Sequence, residues 1–137
     1  MPGFTYLDAS ALVKLAVHEP ETPALEHAVL NRDALFSSEL GAVELHRALG
    51  RSGRREAHAQ AEEVLEAVFL AGLTPTIRER AGRLAPSTLR TLDAIHVATA
   101  LSLSLPDLEF VTYDDRQADA ARAHGLRVLQ PGRPPPR

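Results

Sequence analysis

The sequence predicts an α/β fold built on a mostly parallel central sheet, and three observations carry that prediction. Short, apolar, β-prone runs alternate with longer stretches of helical periodicity along the chain. Two of those runs, FTYL and LEFVTY, end on an aspartate, at Asp8 and Asp114. The segment TLDAIHVATALSLSL, residues 91–105, is apolar around the whole helical wheel, with no formal charge from Ala94 to Pro106. A helix of that kind is buried on most of its sides.

The elements follow in order. Phe4 to Leu7 is the first strand and runs directly into a helix over Ala9 to Val17, with Ser10 as its expected cap. HEPETP interrupts the pattern, a second helix resumes from Ala24 to Leu30, Ala34 to Phe36 is the second strand, and a third helix spans Ser38 to Leu49. Beyond the RSGR break, Val64, Leu65, Val68 and Phe69 recur at helical spacing and predict an amphipathic helix from Glu56 to Ala71. A short strand at Leu73 to Ile77 and a short helix at Arg78 to Leu84 are expected next, before the apolar helix capped by Thr91. Leu108 to Tyr113 is a strand, Arg116 to His124 a helix closed by Gly125, and Leu126 to Leu129 the last strand.

A chain of 137 residues accommodates one domain with its own core, assigned to residues 1–130. The tail PGRPPPR, residues 131–137, is expected to be disordered, because proline cannot donate to backbone hydrogen bonds. The absence of cysteine excludes disulfide frameworks, thiol catalysis and cysteine-based zinc sites. The N-terminal MPGFTYLDAS has no basic leader or long apolar run, and the 13 uncharged residues from Ala94 to Pro106 fall short of the ~20 that cross a bilayer. The expectation is a cytoplasmic protein with no membrane segment. Formal charge is −3, but if four carboxylates are committed to a metal cluster, 14 acidic residues remain against 15 basic ones. All but one of those basic residues are arginines, the exception being Lys14. Arginine suits bidentate phosphate contacts, although genomic base composition explains the bias equally well.

In open α/β sheets, ligands bind beyond the carboxyl ends of the strands, where Asp8 and Asp114 are placed. Taken alone, each acid suits a turn or a helix cap just as well. Asp93 joins the same crevice from the first turn of the apolar helix, where the helix dipole favours its ionised form. A cap without further function is the simpler reading of that residue by itself. Glu44 is the fourth acid, followed at helical spacing by Arg47, Arg51 and Arg55. Four ionised carboxylates in one crevice repel one another and require a cation. With no thiolates and no ligand spacing among the six histidines, oxygen donors point to Mg2+ or Mn2+. His96, inside the apolar helix, reads as packed or hydrogen-bonded rather than metal-bound.

Four stretches, YLDASALVKL, SSELGAVELHRAL, TLDAIHVATAL and FVTYDDRQADAARAHGLRVL, resemble the PIN domain, specifically the VapC-type toxins of bacterial toxin–antitoxin pairs. LDAIHVATAL is the most specific of them, and the four cover nearly the whole chain in the family's order. The resemblance implies a three-layer α/β/α sandwich and a metal-dependent endoribonuclease that leaves a 5′-phosphate and a 3′-hydroxyl. It implies Asp8, Glu44, Asp93 and Asp114 as the catalytic acids, with Asp8, Asp93 and Asp114 mainly holding metal and Glu44 as ligand or water-orienting group. Ser10, from D-x-S, and Thr112, from T-x-D, would support them. Asp115 competes with Asp114, and Glu39 with Glu44; T-Y-D and V-E-L-x-R-A-L favour Asp114 and Glu44. Arg47 and Arg51 are the candidate RNA anchors, while six aromatic residues leave little for base stacking.

The resemblance further implies a small cognate antitoxin and a homodimer, with Ala28 to Leu30 and the helix from Glu56 to Ala71 as candidate contacts or, more simply, as core. Two other readings compete. A PIN-like binding module without turnover would keep all four acids. An aspartyl phosphotransferase would also place an aspartate after the first strand, but Asp8-Ala9-Ser10 has no second acid and Lys14 lies in the first helix rather than after a late strand.

Overall fold

In the computed structural model, which describes residues 3–134, the first strand to form in sequence is also the middle of the sheet. Strands β1 (Phe4–Leu7), β2 (Ala34–Ser38), β3 (Phe69–Ala71), β4 (Glu109–Val111) and β5 (Arg127–Leu129) lie in the order β3-β2-β1-β4-β5. Every pairing is parallel. The register sets Thr5 between Leu35 and Glu109, and Phe36 beside Phe69. The helices are α1 (Ala9–Ala16), α2 (Thr22–Val29), α3 (Glu39–Gly50), α4 (Ala57–Leu65), α5 (Pro75–Gly82), α6 (Thr91–Leu103) and α7 (Asp115–Ala123).

Side-chain alternation along the strands divides the interior into two cores. Leu7 and Val111 point to one face, where they join Leu12, Leu25, Leu45 and Leu49 from α1, α2 and α3, and Ala61 from α4. Tyr6 and Phe110 point to the other, against Val97 and Ala100 of α6 and Ala121 of α7. The result is a three-layer α/β/α sandwich. Helix α6 is buried without interruption from Ala94 to Ala100, as its uncharged sequence requires.

Strand order decides where a ligand can sit. From β1 the chain winds outward through β2 to β3, then returns across the sheet to begin again at β4. The winding reverses between β1 and β4, and the crevice beyond their carboxyl ends is the usual ligand position of such sheets.

Several boundaries differ from the sequence prediction. The strand expected at Leu73 to Ile77 lies earlier, at Phe69–Ala71, and helix α4 stops at Leu65 instead of running to Ala71. Helical spacing of Val64, Leu65, Val68 and Phe69 is equally met by a helix end followed by a strand, and the Phe36–Phe69 ring pair at 5.6 Å joins that strand to β2. Pro75 starts a helix rather than sitting in a strand, behind Thr74, whose hydroxyl accepts from the Ile77 amide at 3.2 Å. Asp8, not Ser10, caps α1. Thr91 is the first residue of α6 and not its cap; Arg90 holds that position without a side-chain bond. Tyr113 donates to the Pro131 carbonyl at 2.7 Å, and Arg133 pairs with Asp115 at 3.3 Å, so residues 131–134 are tied to the body. Residues 135–137 lie outside the described residues.

Candidate active site

Asp8 follows β1 in extended conformation and its side chain caps the start of α1. Its Oδ1 accepts from the Ala11 amide at 3.0 Å and the Ser10 hydroxyl at 2.6 Å, while Oδ2 accepts from Thr112 at 2.5 Å. The Asp8 amide itself donates to Val111 across the β1–β4 pair at 3.2 Å. Only 3% of the residue is exposed. Burial raises its carboxyl above the ordinary range, opposed first by the nearby His96 and then by the three hydrogen-bond donors.

Thr112, fully buried just past β4, links two acids. Its hydroxyl donates to Asp8 and accepts from the Asp114 amide at 3.1 Å. Ser10 works similarly from the first turn of α1, donating to Asp8 and accepting from the Tyr113 amide at 2.9 Å. Asp114 caps α7, accepting from the amides of Arg116 at 3.0 Å and Gln117 at 3.3 Å.

Asp93 comes from the first turn of α6 and is half-buried. Its pKa is raised, first by burial and then by the charge of Asp114, with smaller contributions from Asp8 and Glu44 and an opposing one from His96. Gln117 steadies it, donating to the Asp93 carboxylate at 3.3 Å. Glu44 enters from α3, and its Oε1 lies 2.7 Å from His96 Nε2. His96 is therefore packed and hydrogen-bonded, with its second ring nitrogen 2.7 Å from the Tyr6 hydroxyl.

These side chains line one cleft of 380 Å³, bounded by Asp8, Ser10, Glu44, Asp93, Asp114 and Arg90. A neighbouring hollow of 440 Å³ shares Ser10, Glu44 and Leu92 and adds Arg47, Arg51 and Val43. Asp115 lies elsewhere: its side chain is 81% exposed and engaged by Gln130 and Arg133. Glu39 faces the groove between α3 and α4 rather than the acidic cleft.

Sequence reasoning missed three contributors: Gln117, fully buried between Thr112 and Asp93; Arg90 at the rim; and Tyr6 behind His96. Gln117 stands three residues after Asp114, so its place on the inner face of α7 was readable once Asp114 was taken as the cap. Arg90 and Tyr6 carry no such signal, since their roles depend on contacts between distant segments.

A cation fits this donor set. The cleft offers carboxylate oxygens from four elements, and at Asp93 the other three acids act together to disfavour ionisation. A bound divalent ion reverses that balance. Among the described residues, no three such side chains are grouped closely enough to enclose an ion as they stand.

Known proteins resemble this chain in sequence and in fold. The family described as PIN domain matches residues 5–123. Ribonuclease VapC46 of Mycobacterium tuberculosis is 43% identical over 126 residues, covering 92% of this chain and 96% of that protein. Ribonuclease VapC47 of the same species is 37% identical over 132 residues, with coverage of 93% and 96%. Among solved structures, the M. tuberculosis sarcin-ricin loop cleaving toxin VapC20 superposes with a TM-score of 0.72 at 18% identity, covering 93% of this chain and 99% of that one. VapBC2 from Rickettsia felis, bound to a promoter DNA fragment, gives 0.71 at 12% identity, with coverage of 92% and 97%. At those identities the structural matches establish the fold.

Proposed function

This chain belongs to the PIN domain family, among the ribonuclease VapC proteins, and from that premise we propose that it is the metal-dependent endoribonuclease toxin of a toxin–antitoxin pair. The single observation that carries the reading is the convergence of Asp8, Glu44, Asp93 and Asp114 on one cleft at the switch point of the sheet. Asp8, Asp93 and Asp114 are the residues to hold Mg2+ or Mn2+, and Glu44 orients water or substrate at the edge of the cleft.

A phosphodiester resists hydrolysis because its anionic oxygens repel a nucleophile and its leaving oxygen gains charge. The cation, when bound, supplies charge neutralisation and acidity for water. The rest is the work of side chains. Ser10 and Thr112 fix Asp8, the α7 amides fix Asp114, and Gln117 fixes Asp93, so the anionic wall is set before substrate arrives. Arg90 at the rim and Arg47 and Arg51 in the adjoining hollow are placed to take flanking phosphates. Val43 and Leu92, 55% and 42% exposed, add an apolar wall for riboses or bases.

The partners are a small cognate antitoxin and a second copy of the chain. Leu30, 73% exposed at the end of α2, is available for such contacts, whereas Ala57, Ala61 and Leu65 of α4 are occupied in the core. No described helix is long and apolar enough to cross a membrane. The aspartyl phosphotransferase reading is disfavoured because Asp8 has both oxygens engaged and almost no exposure for attack on a phosphoryl group.

The test is incubation of purified chain, freed of antitoxin, with total cellular RNA and Mg2+ or Mn2+, followed by end mapping. Discrete fragments with 5′-phosphates that vanish in EDTA support the proposal. A folded, metal-binding chain that cuts no RNA across a broad set would leave the binding-module reading in its place.

A further inference from the structure

Glu44 reaches the cleft with one of its two oxygens already engaged. His96, 2% exposed, sets Nε2 2.7 Å from Glu44 Oε1 and Nδ1 2.7 Å from the Tyr6 hydroxyl. Tyr6, fully buried in β1, stacks on Phe110 at 5.2 Å and meets the imidazole edge-on at 5.7 Å. The imidazole is therefore held by packing and by a partner at each nitrogen. Gly41, one turn before Glu44 on α3, permits the close approach: a Cβ there would stand 3.1 Å from His96 Cε1.

The Nε2–H tautomer of His96 matches the groups at both of its nitrogens. A carboxylate only accepts, and in this tautomer the Nε2 facing Glu44 carries the proton. In that tautomer Nδ1 is bare and accepts. The Tyr6 hydroxyl, fully buried and 2.7 Å from that nitrogen, donates to it. This tautomer gives the order Tyr6 O–H to His96 Nδ1, then His96 Nε2–H to Glu44 Oε1.

We infer that Tyr6 and His96 are positioning residues that hold Glu44 by Oε1 and leave Oε2 alone facing the cleft, so that Glu44 orients water or substrate through a single oxygen. The kinetic consequence rests on the ribonuclease proposal; the hydrogen-bond order does not. Neither residue needs to touch RNA or metal. Tyr6 acts through His96 and His96 acts through Glu44.

Long-range 1H–15N correlation NMR on the metal-free, full-length chain reads the tautomer. The expected result is a protonated Nε2 and an accepting Nδ1 at His96. Single-turnover RNA cleavage with Mn2+ and a Mn2+ titration follow on Tyr6→Phe, His96→Gln and His96→Leu. Tyr6→Phe is expected to lower the cleavage rate about 10-fold with unchanged substrate affinity and unchanged Mn2+ affinity. His96→Gln, which keeps an N–H for Glu44, is expected to retain about 10-fold more activity than His96→Leu. A wild-type His96 protonated at Nδ1, or a folded Tyr6→Phe that cuts at the wild-type rate, overturns the inference. So does a Mn2+ affinity that falls in Tyr6→Phe as far as in Asp93→Asn. If the wild-type chain cuts no RNA, that failure belongs to the ribonuclease proposal, and the relay is decided by the tautomer: Nε2–H sustains it and Nδ1–H overturns it.

Discussion

Asp8 and Asp93 line the same cleft and are held in contrasting ways. Asp8 is buried, accepts three hydrogen bonds from Ser10, Ala11 and Thr112, and doubles as the cap of α1. Asp93 is half-buried, receives one side-chain donor from Gln117, and is opposed by the charges of Asp114, Asp8 and Glu44. The β1–β4 wall is thus part of the fold's foundation, whereas the α6 wall carries charge that the protein alone does not balance. One wall needs the scaffold and the other needs a counter-ion.

The largest effect tests what the two walls share. Asp8→Asn and Asp93→Asn are each expected to lower metal-dependent RNA cleavage at least about 100-fold, as is EDTA, measured on variants of verified fold. Next, Thr112→Val separates the walls, because it removes the donor to Asp8 Oδ2 and the acceptor for the Asp114 amide from a fully buried position. A loss of about 1–3 kcal/mol in denaturant unfolding is expected, with no counterpart in Asp93→Asn.

Smaller and opposite in sign is the effect of Asp93→Asn on the metal-free chain. A carboxyl whose pKa is raised in the folded state binds its proton more tightly there than in the unfolded chain. Its contribution to stability is complete below the unfolded value of about 4 and is lost as pH rises through the folded value. At neutral pH Asp93→Asn should therefore raise the metal-free Tm by roughly 1–3 °C, and added Mn2+ should stabilise wild type far more than the variant. Thermal scans across pH with and without Mn2+ check both signs. The smallest effect belongs to Asp115→Asn, at an exposed side chain paired with Arg133, where stability should change by less than about 0.5 kcal/mol and cleavage should not change. An Asp115 variant as inactive as Asp114→Asn would reverse the assignment of the fourth acid.

How much of this was legible in the sequence depends on the range of the forces involved. Asp8 and Asp114 declared themselves because each follows an apolar run, and the parallel sheet brings such positions to one edge. The burial of α6 was written in its lack of charge. The stretch from Val64 to Ile77 was misread because helical spacing also describes a helix end joined to an edge strand, and the register with β2 that selects the strand is not local. The Thr-Pro start of α5 was a local signal and should have outweighed the β-prone Leu73 to Ile77. In the site, identities of the acids were readable, but their supports were not. Gln117, Tyr6 and Arg90 act across 24 or more residues of chain or from the rim of the cleft, and only the folded molecule brings them near the carboxylates.

The most direct test of a cation-dependent acidic cleft is a calorimetric titration of Mn2+ into metal-free wild type and into Asp93→Asn under identical conditions. Saturable binding to wild type, weakened at least about 10-fold in the variant while Asp115→Asn binds normally, is the predicted result. Equal affinity in wild type and Asp93→Asn would place the cation elsewhere and contradict the account.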